Sequence, residues 1–239
     1  LYGRSGITKL FQKHSAHGLV MLNYHRLREN GSNTDFCRGV YGPSPELFER
    51  HMRWVAVNTD VLSEDDLLDV LNGQRPFPKR GTVVTFDDGY IDNYSLAYPV
   101  LKVLNLPAIF FIPTQLIEER NLGWWDILEY MLRRSMKGTI NFLGKAVQIG
   151  TNEEKVAAVR TVSAYMRTTR NCNPRKVLDE LSFETGIDYP DIEVQDRELM
   201  TWEQIEEVSM NRVRIGSHTH THKVLSTLDI GRQSMEMEV

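Results

Sequence analysis

The run Gly81-Thr-Val-Val-Thr-Phe-Asp-Asp-Gly-Tyr90 constrains the fold more than any other stretch of this chain. Its first six residues are glycine, β-branched or aromatic and carry no charge. They predict a short strand buried on both faces, the strand type of a parallel sheet. Gly89 ends the run, so Asp87 and Asp88 fall where strand gives way to turn. Strand ends carry the chemistry in parallel α/β folds. Neighbouring side chains there diverge, which lets one carboxylate hold a metal while the other accepts a proton. Taken alone, Asp-Asp-Gly is equally well a solvent-exposed turn.

A second strand candidate, Arg212 to Gly216, leads straight into Ser217-His218-Thr219-His220-Thr221-His222. His218 and His222 are four apart, which puts both imidazoles on one side of a helical turn; an extended chain would instead align all three histidines. Either geometry grips a metal, and two imidazoles with one carboxylate and a water form an open site for Zn²⁺ or a similar divalent ion. A lone His-x-x-x-His is usually a surface helix face, but with Asp-Asp-Gly at another strand end it points to a metal centre. A third strand, Leu19 to Asn23, delivers Tyr24-His25 at its end. By residue type alone, a single strand-end histidine is more often a hydrogen-bonded structural residue than a catalyst.

These residues resemble the polysaccharide deacetylases with the NodB-like domain, carbohydrate esterase family 4. That family reads Thr-Phe-Asp-Asp-Gly and then His-(Ser/Thr)-x-x-His, matched in order by Thr85 to Gly89 and His218 to His222. The resemblance implies Asp87 as catalytic base and Asp88, His218 and His222 as ligands of a divalent ion, Zn²⁺ first among them. His220 would fill the variable slot. The opening Tyr-His-Arg-Leu looks like the permuted subgroup that deacetylates exopolysaccharides such as poly-N-acetylglucosamine, which makes His25 the general acid. In that chemistry the metal activates a water and stabilises the oxyanion, Asp87 takes the water's proton, and His25 protonates the departing amine. His25 is then expected to open onto the cavity from the side opposite Asp87.

Length and composition fit this reading. The chain has 239 residues, 41% hydrophobic and 25% charged, enough for one large domain or a domain with an insertion. A net charge of −4 gives no electrostatic reason to expect nucleic acid or an anionic membrane, whereas a neutral N-acetylated glycan fits. Cys37 and Cys172 make no spacing motif and read as free thiols. No apolar run reaches transmembrane length and no secretory h-region follows Leu1, so the expected location is cytoplasmic or associated with the cell envelope.

Along the chain, Ser44 and Pro45 open a helix whose apolar face is Phe48, Met52 and Val55, and Ser63 opens another that stops near Gly73. A helix through Pro99 to Asn105 precedes a strand at Ala108 to Ile112, which gives a βαβ rhythm. Gln115 to Arg197 breaks that rhythm. It offers a helix at Trp124 to Arg134, a hairpin around Gly144-Lys145, and helices opened by Thr151 with Glu154 and by Asn173-Pro174. Trp124-Trp125 reads as packing, with stacking on a pyranose ring as the other reading. Thr201 with Gln204 caps a helix leading to the His218 strand.

The expected fold is therefore α/β: an irregular (β/α) barrel of the NodB type, with residues 1–114 and 199–239 as barrel and 115–198 as a mainly helical insertion. Barrel strands near residues 19, 82, 108 and 213 are too few for a closed ring. The barrel is expected to be incomplete in this chain, with an open edge beside the His218 strand that a partner subunit of a homo-oligomer would cover. Two rival readings remain: an amidohydrolase-type metallohydrolase using His218-x-His220, and a non-catalytic glycan-binding domain.

Overall fold

The computed structural model describes residues 18–28 and 35–238; the N-terminal stretch read for a leader, Leu1 to Lys9, lies outside them. The described residues divide into two compact units. The first holds residues 18–28, 40–112 and 200–218, and the second holds 35–39, 113–199 and 219–238.

The first unit is built on a parallel sheet of five strands: β1 (Leu19–Tyr24), β2 (Asp60–Val61), β3 (Gly81–Asp87), β4 (Ala108–Ile112) and β7 (Val213–Ser217). Four of these stand where the sequence predicted strands, and the two-residue β2 is an addition. β3 is central and all seven of its residues are buried. β1 pairs with it from Leu19↔Gly81 to Tyr24↔Phe86. On its other side β2 covers the first two residues and β4 the last three. β7 pairs with β4, and among the described residues β1 and β7 are the outermost strands.

Strand alternation gives the sheet two different faces. One carries an aromatic cluster of Tyr24, Phe86, Phe48 and Phe110, with the Tyr24 and Phe86 rings stacked at 5.3 Å. Phe48 comes from the helix Pro45–Asn58, capped by Ser44 and buried through Phe48, Met52 and Val55 as the sequence pattern required. The other face is apolar at the start of the strands, where Val83 and Ile109 pack with Leu62, Val70 and Leu19. Further along, the same face presents Asn23, Thr85 and Asp87. Gly216 in β7 lies beneath the Phe111 ring, and an added Cβ would come within 2.7 Å of that ring.

The second unit is mainly helical, with helices Trp124–Arg134, Asn152–Thr168 and Pro174–Thr185 and the hairpin β5 (Thr139–Phe142) and β6 (Lys145–Gln148). The sequence-read caps at Thr151 and Asn173 are both formed. Short helices Thr114–Glu118, Ile192–Asp196 and Ile230–Met237 complete it. No helix among the described residues is long and apolar enough to cross a membrane.

Candidate active site

Parallel register places the chemistry at one end of the sheet. Because Tyr24 pairs with Phe86, the next residues His25 and Asp87 come side by side, and His25 Nε2 lies 3.8 Å from Asp87 Oδ2. This corrects the expectation that the two would face each other across a cavity. Adjacent parallel strands are only about 4.8 Å apart, so residues at matching ends must be neighbours. Asp88 turns away from Asp87 on a backbone with φ +74°, a left-handed conformation that is uncommon for a residue with a Cβ, and its side chain is buried. His218 follows β7, its N–H donates to the Ile112 carbonyl at 2.9 Å, and its Nε2 stands 3.6 Å from Asp88 Oδ1.

The loop after β7 is neither of the two forms anticipated. It is not a helical turn and not an extended strand: Thr219 has φ +65° and His222 φ +57°. Two left-handed residues fold the loop back, and the His222 N–H is held by Thr219 Oγ1 at 3.1 Å. The ligand-type atoms of Asp88, His218 and His222 all lie within 4.8 Å of one another. His220 is differently engaged. Its Nδ1 is 2.9 Å from Thr114 Oγ1 and its carbonyl accepts from Gln115 N, an arrangement that argues against a His218-x-His220 metal pair.

Three supports of this arrangement were not read from the sequence. Asn23 donates from Nδ2 to Asp87 Oδ2 at 2.9 Å and accepts from Thr85 Oγ1 at 2.9 Å. Asn93 donates to the His25 carbonyl at 2.8 Å, while Asp92 pairs with Arg26 at 2.9 Å and accepts from Leu27 N. Both partners of that ion pair are buried, and the Arg26 guanidinium is packed between the rings of Tyr41 and Tyr90. Glu236 is the third support: its carboxylate accepts from Thr221 N at 2.7 Å and from the Thr221 hydroxyl. An asparagine inside an otherwise apolar strand was the available signal for the first of them. Burial pushes the Tyr24 hydroxyl up, out of reach of physiological titration. Trp125 is buried with its ring centroid 4.4 Å from that of His222, so it packs as expected, and it packs on a candidate ligand.

Replacing Glu236 with alanine releases the loop that carries His222. Supports of this kind are worth about 10- to 100-fold in metal affinity, and the loss is expected near the lower figure because Glu236 holds the loop and not the imidazole itself. Competition with a chromogenic chelator measures it, and unchanged affinity would show that the loop holds its shape without the carboxylate.

A polysaccharide deacetylase family model matches residues 74–238, more than two thirds of the chain. The chain belongs to the polysaccharide deacetylase family. The match starts beyond β1, so Asn23 and His25 lie outside it. Among curated relatives, YxkH of Bacillus subtilis is 34% identical over 95 residues, 39% of this chain and 31% of the relative. The poly-beta-1,6-N-acetyl-D-glucosamine N-deacetylase of Staphylococcus aureus is 29% identical over 125 residues, 48% of this chain and 43% of the relative. The chain thus spans less than half the length of these two relatives. Among solved structures, the Streptococcus pyogenes deacetylase PplD shares the fold with a TM-score of 0.52 and 17% identity, over 92% of this chain and 64% of that one.

Proposed function

We propose that this chain hydrolyses the N-acetyl groups of an amino-sugar polysaccharide, releasing acetate and leaving a free sugar amine. The observation that carries the reading is the grouping of Asp88, His218 and His222 within 4.8 Å, with the Asp87–His25 pair beginning on the residue next to Asp88. Two imidazoles and one carboxylate are the donor set of an open catalytic site with room for a water, and Zn²⁺ is the ion it suits best. A divalent ion there would polarise the acetyl carbonyl and lower the pKa of a bound water.

The remaining chemistry falls to side chains. Asp87 accepts the proton of the attacking water, and His25, as imidazolium, donates a proton to the departing nitrogen. Their adjacency lets both reach one tetrahedral intermediate. The Asn93 amide on the His25 carbonyl fixes the backbone from which that imidazole projects. The relative from Staphylococcus aureus makes a β-1,6-linked N-acetylglucosamine polymer the first substrate to offer.

Acetate release from such oligomers, measured with metal analysis of the purified chain, tests the reading. The expected result is one divalent ion per chain and activity that a chelator lowers by at least about 100-fold, as loss of a Lewis acid requires, with recovery on adding Zn²⁺. Full activity after complete metal removal, or no acetate from any N-acetylated glycan, would overturn it.

A further inference from the structure

Asn23 occupies an unusual place. It is an amide within a strand of otherwise apolar residues, Leu-Val-Met-Leu before it and Tyr24 after, and asparagine is depleted in strands because it packs poorly on a pleated surface. Its two ends are both used. A carboxylate can only accept, so the amide must present its NH₂ to Asp87, at 2.9 Å from Oδ2. Its carbonyl then faces Thr85, whose hydroxyl donates at 2.9 Å. Thr85 lies two residues before Asp87 on β3 and is buried. One amide therefore ties the base to its own strand through the neighbouring strand, and the amide's orientation is fixed from both sides.

The second observation concerns which oxygen is held. Asn23 Nδ2 and His25 Nε2 both approach Oδ2 of Asp87, at 2.9 and 3.8 Å. Rotation about the last torsion of an aspartate is soft and roughly two-fold, so an unsupported carboxylate would present either oxygen over a broad range of angles. A base must meet its proton at hydrogen-bond distance and in line, and misplacement by about 1 Å costs around 100-fold.

Resting on the deacetylase reading above, we propose that Asn23 is the positioning residue for the Asp87 base: it locks Oδ2, and Oδ1 is the oxygen that takes the proton. Asn23 touches neither the candidate ligands nor the reacting atoms, and it acts through Asp87 alone. Its removal therefore changes the catalytic step and leaves metal binding and substrate binding as they are.

The test compares Asn23→Ala, Thr85→Val and Thr85→Ser with the wild type in acetate release, metal content and melting temperature. For Asn23→Ala the expected loss is about 10- to 100-fold in kcat, with KM and metal content unchanged. Thr85→Val, nearly isosteric, removes only the donor to Asn23 and is expected to lose kcat by a smaller factor. Thr85→Ser, which keeps the hydroxyl, restores it. A loss that appears in KM or metal content, or kcat within twofold of wild type, overturns the proposal. A crystal structure of Asn23→Ala, or of Thr85→Val if the former does not fold, decides independently of activity. The Asp87 carboxylate should turn away from its wild-type orientation or take more than one, and an unmoved carboxylate refutes the positioning role. A wild-type chain that releases no acetate sinks the deacetylase reading, while the crystallographic comparison still decides the role of Asn23.

Discussion

Asp87→Asn is expected to lower acetate release by about 100- to 10,000-fold, the range a positioned general base contributes, while the divalent ion stays bound. The two carboxylates of the Asp-Asp pair are separated by the backbone itself: Asp87 ends β3 and sits beside Asn23 and His25, whereas the left-handed turn at Asp88 sends its carboxylate toward His218. The asparagine keeps shape and hydrogen-bonding capacity but has no basic oxygen. Metal content by plasma spectrometry and acetate release together read the split. Substantial residual turnover would place the base elsewhere, and loss of metal would make Asp87 a ligand.

A second large effect is expected in stability. Asp92→Ala leaves the buried Arg26 guanidinium without the carboxylate that now lies 2.9 Å from its Nε, and breaking a buried pair on one side costs about 3–5 kcal/mol. The Leu27 N–H loses its acceptor in the same change. Urea denaturation should show a midpoint shift of that size with the slope unaltered. A shift under about 1 kcal/mol, the level of an exposed pair, would mean that water reaches Arg26 when Asp92 is gone. Because Arg26 and Asn93 flank His25, partial unfolding here would also displace that imidazole.

How much of this was legible beforehand follows from what each feature depends on. β3 and β4 were readable because strands buried on both faces need uninterrupted apolar runs, and the helices at Ser44, Ser63, Thr151, Asn173 and Thr201 were readable because their caps are local chemistry. β2 was not, since two residues carry no periodicity, and neither were the five-residue helices Thr114–Glu118 and Ile192–Asp196. A π-helical turn at Asn93–Ala97 shows no pattern of its own. The histidines were named by type and spacing and Asp88 by the family resemblance, yet the loop carrying the histidines escaped both geometries offered, because Thr219 and His222 adopt positive φ where glycine would have announced it. His25 and Asp87 became neighbours through a strand pairing that spans 62 positions of sequence, and spacing along the chain contains no trace of it.

That pairing has a consequence for how such a site can vary. The loops between β1 and β3 can lengthen or shorten freely, since closing a longer loop costs little. The strands cannot. Side chains alternate with a period of two, so one residue inserted into β1 would exchange its faces, burying Asn23 among aromatic rings and setting the Tyr24 ring beside Asp87. The alignment of His25, Asp87 and Asn23 is thus stored as a count along two strands. Length change is tolerated in steps of one in the loops between them, and within β1 at no single-residue step that leaves the alignment intact.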